Sequence, residues 1–275
     1  MSLVALVFAS SLSWTPIADK QALICPLPEL GTCLALLPKQ VLAQLPATLD
    51  QFKRDLGRRS AMVMPVDDNK IAGLVLVNEL QTPQVQLASV DLVTYQLPLL
   101  EQPQLTLWHE LGHLENLALQ GTVLPIQLSA YQHEWLADIY LVWRIARERG
   151  DFALAWQQYH RRNLDALTSP QYLSHWSSPM LIQVLRHYEV AQVARFADYR
   201  DFLADFYPKA EQLEPRLLGE YSSLMQRTFG ASVLQPLPEY LFWRKADLGH
   251  YLQPTLVLLM GEEKAHNWLV QNSML

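Results

Sequence analysis

The segment PQLTLWHELGHLENLAL, residues 103–119, decides how the rest of this chain has to be arranged. Its apolar residues surround the helical axis instead of forming one stripe, which is typical of a central, buried helix. Pro103 suits the first turn of such a helix, and Gly121 marks its end. We therefore predict a helix over 103–119 that lies at the centre of the fold.

Two histidines and a glutamate interrupt this apolar helix. His109 and His113 are four residues apart, so at roughly 100° per residue they lie about 40° from each other around the axis. Both imidazoles can therefore bind the same metal ion. Glu110 points to the side of that ion where a water would lie. This H-E-x-x-H arrangement is typical of zinc peptidases, in which the glutamate is the general base.

A catalytic zinc site needs a third protein ligand as well. A metzincin would continue with a glycine and a third histidine, but this chain has Asn116 and Leu119 at those positions, which excludes that class. Glu134 and Asp138 are four residues apart on the next predicted helix, and a turn before that helix lets it come back alongside the first. His133 is a competing third ligand.

With these residues the chain resembles the gluzincin metallopeptidases, whose H-E-x-x-H helix is followed by a glutamate ligand in an E-x-x-x-D motif. The resemblance implies that His109, His113 and Glu134 bind Zn²⁺, and that Glu110 activates a water for attack on a peptide bond. It also implies that Asp138 accepts a hydrogen bond from one ligand histidine and so fixes the tautomer of that ring. The implied protein is a zinc peptidase that acts on a peptide or protein substrate.

The oxyanion of the reaction needs a hydrogen-bond donor from another segment. We predict His175 for this role, because it lies in a loop before a helix, where functional residues often occur. The competing interpretation is a surface or packing histidine, and Tyr131 is an alternative donor. The remaining candidates lie within predicted helices and are expected to be structural: His160, His187, Tyr188, His250 and His266.

Two other functions fit the same residues. One is a gluzincin-like scaffold that binds metal or a protein partner without turnover, and the other is a metal-dependent hydrolase of a non-peptide amide. Glu110 favours catalysis, because a structural zinc site has no need of a general base.

The whole chain is predicted to be α+β and predominantly helical. A small, mostly antiparallel sheet is expected over 61–97, with strands at 61–66, 71–78 and 85–95, packed beside a zincin-like pair of helices. In the peptidases that the chain resembles, an extended substrate pairs with an edge strand, for which 85–95 is the candidate. Helices are expected in the following segments: 38–52 with a break at Pro46, 129–150, 152–167, 179–206, 209–229, and 238–271 with a break at Gly261.

This pattern predicts three parts. Residues 1–13 form a remnant of an export signal or a short buried arm, 14–150 form a zincin-like core that is irregular and then helical up to residue 58, and 151–275 form a helical subdomain. Half of the residues are hydrophobic and 17% are charged, which excludes a disordered chain. A net charge of −6 without a run of Lys or Arg argues against nucleic acid as a partner. No apolar run approaches the ~18 residues that an integral membrane helix needs.

The two cysteines bear on localisation. Cys25 and Cys33 flank a stretch whose Pro and Gly residues favour a turn, which would bring the two side chains together. They form either a disulfide in an oxidising compartment or two buried thiols in a cytoplasmic protein. Together with the apolar start, the pair favours a periplasmic or secreted protein over a cytoplasmic one.

Overall fold

A computed structural model describes residues 11–170, 173–230 and 238–275, so residues 1–10 of the predicted N-terminal segment lie outside the described residues. The chain forms two compact units. One contains the residues up to Pro83 together with Glu101–Gln120, and the other contains Gln84–Leu100 together with the residues from Gly121 onward. The sequence predicted a division at residue 150, whereas these units are divided after residues 83, 100 and 120.

The first unit contains a four-stranded sheet. Its strands are β1 (Ser13–Ile17), β2 (Lys20–Pro26), β3 (Ala61–Pro65) and β4 (Ile71–Val77), in the spatial order β1-β2-β4-β3. The β3–β4 hairpin confirms the antiparallel pair predicted around residue 68, but β2 and β4 are parallel. The prediction that the chain after residue 14 begins irregularly was wrong, because β1 and β2 form a hairpin there.

Three short helices cover this sheet: α1 (Leu30–Ala35), α2 (Lys39–Leu42) and α3 (Leu49–Leu56). The gap between α2 and α3 contains Pro46, as predicted, and α3 starts where the Thr48 side chain accepts a hydrogen bond from the Gln51 backbone. A disulfide joins Cys25 at the end of β2 to Cys33 in α1, and both residues are fully buried in the apolar cluster of this unit. The predicted cysteine pair is therefore bridged.

The central helix, α4, spans Gln102–Leu119 and packs against β1, β3 and β4. Its start and end agree with the predicted 103–119. Gly73 in β4 allows the close approach, since a Cβ there would lie 2.7 Å from the Met64 carbonyl oxygen and 3.0 Å from a methyl of Leu114. The helix that carries both histidines is thus fixed directly against strand backbone.

The second unit begins with a hairpin of β5 (Val85–Val90) and β6 (Val93–Pro98), which form a separate two-stranded sheet. The prediction of one strand over 85–95 in the larger sheet was wrong. Asp91 and Leu92 reverse the chain with φ values of 47° and 65°. This turn was missed because two-residue turns with positive φ usually contain Gly or Asn, and Asp-Leu lacks that signal.

The remainder of the second unit is helical. The long helix α5 (Ala130–Arg149) starts at a capping box formed by Ser129 and Gln132, and it ends at Gly150 with φ 72°. The predicted single helix over 179–206 was wrong, because Glu189 and Asp198 adopt extended backbone and start new helices. The other helices are α6 (Ala153–Thr168), α7 (Ser178–His187), α8 (Val190–Ala194), α9 (Tyr199–Phe206), α10 (Pro215–Phe229), α11 (Glu239–Phe242), α12 (Arg244–Met260) and α13 (Glu262–Gln271).

The predicted fold class is confirmed: the chain is α+β, mostly helical, with small sheets. Within the described ranges, none of the helices is both long enough and apolar enough to cross a membrane. The buried residues of α10, α12 and α13 pack with β5 and β6 in one apolar cluster of the second unit.

Candidate metal centre

Helix α4 places His109 and His113 on one face, where both residues are half-buried. Their Nε2 atoms are 3.2 Å apart, and the rings meet edge to face with centroids 4.8 Å apart. Zn–N bonds of 2.0–2.1 Å in a tetrahedral site separate two ligand nitrogens by about 3.3 Å. The histidine pair therefore has the spacing that a shared zinc ion requires.

Glu134, on α5, belongs with the two histidines to a group of three side chains that could hold a metal ion. The ligand atoms of His109, His113 and Glu134 all lie within 4.8 Å of one another, and all three residues are half-buried. Among the residues that the structure describes, this is the one group of three or more His, Cys, Asp or Glu side chains placed to share an ion. The competing residue His133 is not in the group, whereas the three predicted ligands are.

Glu110 follows the first histidine on α4 and is also half-buried. The residue is thus partly accessible to solvent on a helix of which eight residues are buried. Helix α4 thus carries two imidazoles and one carboxylate within five residues.

Asp138, one turn after Glu134, is fully buried and forms an ion pair with Arg162. Arg162 on α6 donates two hydrogen bonds to it, from Nε at 2.7 Å and from Nη2 at 3.0 Å. The side chain of Gln158 donates a third at 2.9 Å, and the hydroxyl of Ser177 donates a fourth. We call Gln158, Arg162 and Ser177 the Asp138 clamp. The predicted hydrogen bond from a ligand histidine to Asp138 stays a prediction.

The positive charge of Arg162 in the clamp is stabilised by nearby carboxylates. Burial by itself would lower the pKa of Arg162, but the charges of Asp138, Asp165 and Glu134 hold that pKa above its ordinary value. The guanidinium is therefore a permanent cation that interacts with both the predicted ligand and its neighbour one turn away. Sequence reasoning missed all three clamp residues, and the one available signal was a pair of arginines within an otherwise buried helix.

His175 lies beside the third predicted ligand. Its Nε2 is 3.3 Å from Oε2 of Glu134, and its side chain is 56% exposed. The other ring nitrogen, Nδ1, is 3.1 Å from the Ser174 hydroxyl. The histidine is held in a short 3₁₀ turn, Leu173–His175, just before α7. The loop position expected from the sequence is thus a turn that borders Glu134.

The alternative oxyanion donor has a different environment. Tyr131 on α5 is buried, and burial raises the pKa of its hydroxyl far above the ordinary value. Within the described part of the chain the hydroxyl has no hydrogen-bond partner. A buried hydroxyl of this kind stays protonated and keeps its donor capacity.

The histidine predicted to be structural in α6 is buried in a polar network. Nδ1 of His160 is 2.9 Å from the hydroxyl of Thr255 on α12, and burial lowers the pKa of His160 to about 4. Asn163 donates to the same hydroxyl at 2.8 Å and accepts from the indole of Trp176 at 2.8 Å. The network joins α6 to α12 and to the turn that carries His175.

The chain matches no model of a protein family, no curated protein and no solved structure.

Proposed function

We propose that this protein is a zinc-dependent peptidase of the gluzincin type. The observation that carries the proposal is the convergence of His109, His113 and Glu134 within 4.8 Å, with Glu110 in the same motif. Two imidazole nitrogens and one carboxylate oxygen are a ligand set found in catalytic zinc sites. The 3.2 Å spacing of the two nitrogens supports the fit.

Each residue of the site has a proposed role in hydrolysis. A zinc ion held by His109, His113 and Glu134 would act as a Lewis acid, polarising a carbonyl and lowering the pKa of water toward ~7. Glu110 accepts the proton of the attacking water and returns it to the leaving amine. His175, whose Nε2 borders Glu134, donates to the oxyanion of the substrate carbonyl. Asp138 orients a ligand histidine, and the clamp keeps its carboxylate fixed.

Substrate recognition is proposed to use the β5–β6 hairpin. An extended peptide can add to the edge of a two-stranded sheet through main-chain hydrogen bonds, while pockets select side chains. Val85 and Leu87 on one face of β5 are exposed, whereas Ala88 and Val90 on the other face are buried, so β5 has an apolar face that is open to a ligand.

The disulfide supports a periplasmic or secreted location, since such bonds persist in oxidising compartments.

One comparison tests the activity. Zinc content is measured by elemental mass spectrometry, and cleavage of an unbiased peptide library by mass spectrometry, for the wild type, Glu110→Gln and Glu263→Gln. Glu263 is exposed on α13 and serves as the control for the same chemical change. We expect one equivalent of zinc in all three proteins, and cleavage by the wild type and the control alone. Bound zinc without cleavage by the wild type would contradict the peptidase and favour the scaffold or the non-peptide amide hydrolase.

A further inference from the structure

Arg161 is a half-buried arginine without a counter-ion. Its Nε is inaccessible to solvent, and within the described residues it has no hydrogen-bond partner. The guanidinium also makes no ion pair there, in contrast to the adjacent Arg162. Arg227 shares the unpaired Nε, but its Nη1 donates to the Ser223 carbonyl. Arg161 thus differs from the other arginines of the second unit that have a buried Nε.

An unpaired cation in this position is energetically costly. Buried polar and charged groups are normally paired, because water no longer compensates them, and the Nε of Arg161 is buried in this way. Burial first, and then the charge of Arg162, lower the pKa of Arg161, while Asp165 and Asp138 raise it from positions too far away for an ion pair. An anion that reached the guanidinium would therefore offset the energetic cost of the unpaired cation.

Arg161 lies on the face of α6 that packs against the β5–β6 hairpin, so an anion that binds it could belong to a ligand of the hairpin. Gln157, Arg161 and Thr168 lie on one face of α6, because residues four and seven apart share a face. Gln157 exchanges hydrogen bonds with the backbone of Leu100, and Thr168 donates to the Leu87 carbonyl of β5. This face of α6 thus packs against the hairpin proposed to bind substrate.

The other neighbour of Arg161 is the Asp138 clamp. Arg162, the next residue, pairs with Asp138 one turn from Glu134, and the charge of Asp138 acts on Arg161 as well. Arg161 therefore lies on the helix that connects the clamp with the hairpin.

We propose that Arg161 binds a carboxylate of the peptide substrate, and so selects peptides that carry a negative charge close to the scissile bond. The inference rests on the proposed peptidase function. The planar fork of arginine matches a carboxylate with two parallel hydrogen bonds. The carboxylate belongs either to the C-terminus of the peptide or to an Asp or Glu side chain, and the chemistry of recognition is the same.

Affinity selection from peptide libraries tests this without relying on turnover. Zinc-loaded Glu110→Gln protein is mixed with a tetrapeptide library that has free C-termini and with the same library amidated, and bound peptides are identified by mass spectrometry. Enrichment of free over amidated peptides indicates the terminal carboxylate. Enrichment of Asp and Glu over Asn and Gln in the amidated library indicates a side-chain carboxylate.

The same selection is repeated with Arg161→Gln and with Arg161→Lys in the Glu110→Gln background. Loss of a charge-assisted bidentate contact corresponds to roughly a 10- to 100-fold loss of enrichment. We expect Arg161→Gln to lose it and Arg161→Lys to keep part of it. Exposed Arg200, changed to Gln as the control for net charge, should keep all of it. Because the cation has no partner to lose, Arg161→Gln should not lower the melting temperature.

Two results would overturn the inference. One is that the Arg161→Gln variant enriches carboxylate-bearing peptides as strongly as the parent Glu110→Gln protein does. The other is that the parent protein shows no preference for peptides with a carboxylate. Failure of the peptidase proposal is seen separately, as absence of cleavage by the wild type. Cleavage without a carboxylate preference leaves the peptidase proposal standing and removes the role of Arg161.

Discussion

Glu134 is the residue on which the metal proposal depends most, because it is the ligand that the H-E-x-x-H motif does not contain. Glu134→Ala should weaken zinc binding by more than the ~10- to 100-fold that changes around a ligand typically cause. The dissociation constant is measured by competition with a chromophoric chelator. Exposed Glu211, changed to Ala, is the control and should bind as the wild type does. Equal affinity of Glu134→Ala and wild type would remove Glu134 from the ligand set.

The buried pair of Arg162 and Asp138 gives a second prediction for single residues. Arg162→Met leaves a fully buried carboxylate without its cation, which should lower the free energy of unfolding by about 3–5 kcal/mol. Adding Asp138→Leu removes the uncompensated charge, so the double variant should be more stable than Arg162→Met alone. Denaturation in urea measures both. Additive effects of the two changes would show that the pair is not coupled.

Residues of the candidate site differ in how far they can be predicted from sequence. His109, Glu110 and His113 are linked by helical spacing, which is a local property. The Asp138 clamp could not be predicted, because its hydrogen bonds join residues 20, 24 and 39 positions apart, and each donor is an ordinary polar residue by itself. Only packing of α5, α6 and the start of α7 brings these donors to one carboxylate.

The polar network between α6 and α12 predicts a dependence of stability on pH. The pKa of His160 falls from an ordinary 6.5 to about 4, so the unfolded chain binds more protons between these values. Stability is therefore fully present above about pH 6.5 and is lost as the pH falls toward 4, by about 3 kcal/mol at 1.36 kcal/mol per pKa unit.

His160→Gln is the variant that tests this dependence. It retains a polar side chain beside Thr255 but cannot take up the proton. The free energy of unfolding, measured from pH 7 to pH 4 by urea denaturation, should decline less steeply for the variant. Parallel slopes for the two proteins would mean that His160 does not titrate in this range.

Elements with local signals agree with their sequence predictions, and elements that depend on distant pairing do not. The ends of α5 could be predicted because a capping box and a glycine mark them. The parallel pairing of β2 with β4 joins segments about fifty residues apart, and no local sequence pattern predicts it. The hairpin at Asp91 was missed because its turn lacks glycine.

The Cys25–Cys33 bridge should contribute measurably to the stability of the protein. The two cysteines are 8 residues apart, and closing a loop of that length in the unfolded chain corresponds to about 2.5 kcal/mol in the chain-entropy description. The double variant Cys25→Ser/Cys33→Ser should therefore melt at a lower temperature than the wild type. The control is the wild type unfolded and refolded under reducing conditions, which should behave as the double variant does. An unchanged melting temperature would contradict the estimate.

The fold class of the whole chain could be predicted, because composition and hydrophobic periodicity report burial over long segments. The division into units could not, since residues 84–100 belong with helices that follow much later in the chain. Contacts such as that of Thr168 with Leu87 determine this grouping. They join residues that are far apart in the chain, so no local sequence pattern predicts them.

The disulfide also determines the visible spectrum that is expected of the cobalt-substituted protein. The chain has two cysteines in total, and the bridge uses both, so no thiolate is left to coordinate a metal. Cobalt(II) in place of zinc would then have nitrogen and oxygen ligands alone. Its visible spectrum should show the weak d–d bands of such a site without the intense near-ultraviolet absorption that thiolate-to-cobalt charge transfer produces. The colour of the cobalt protein therefore reports on the ligand set before any residue is changed.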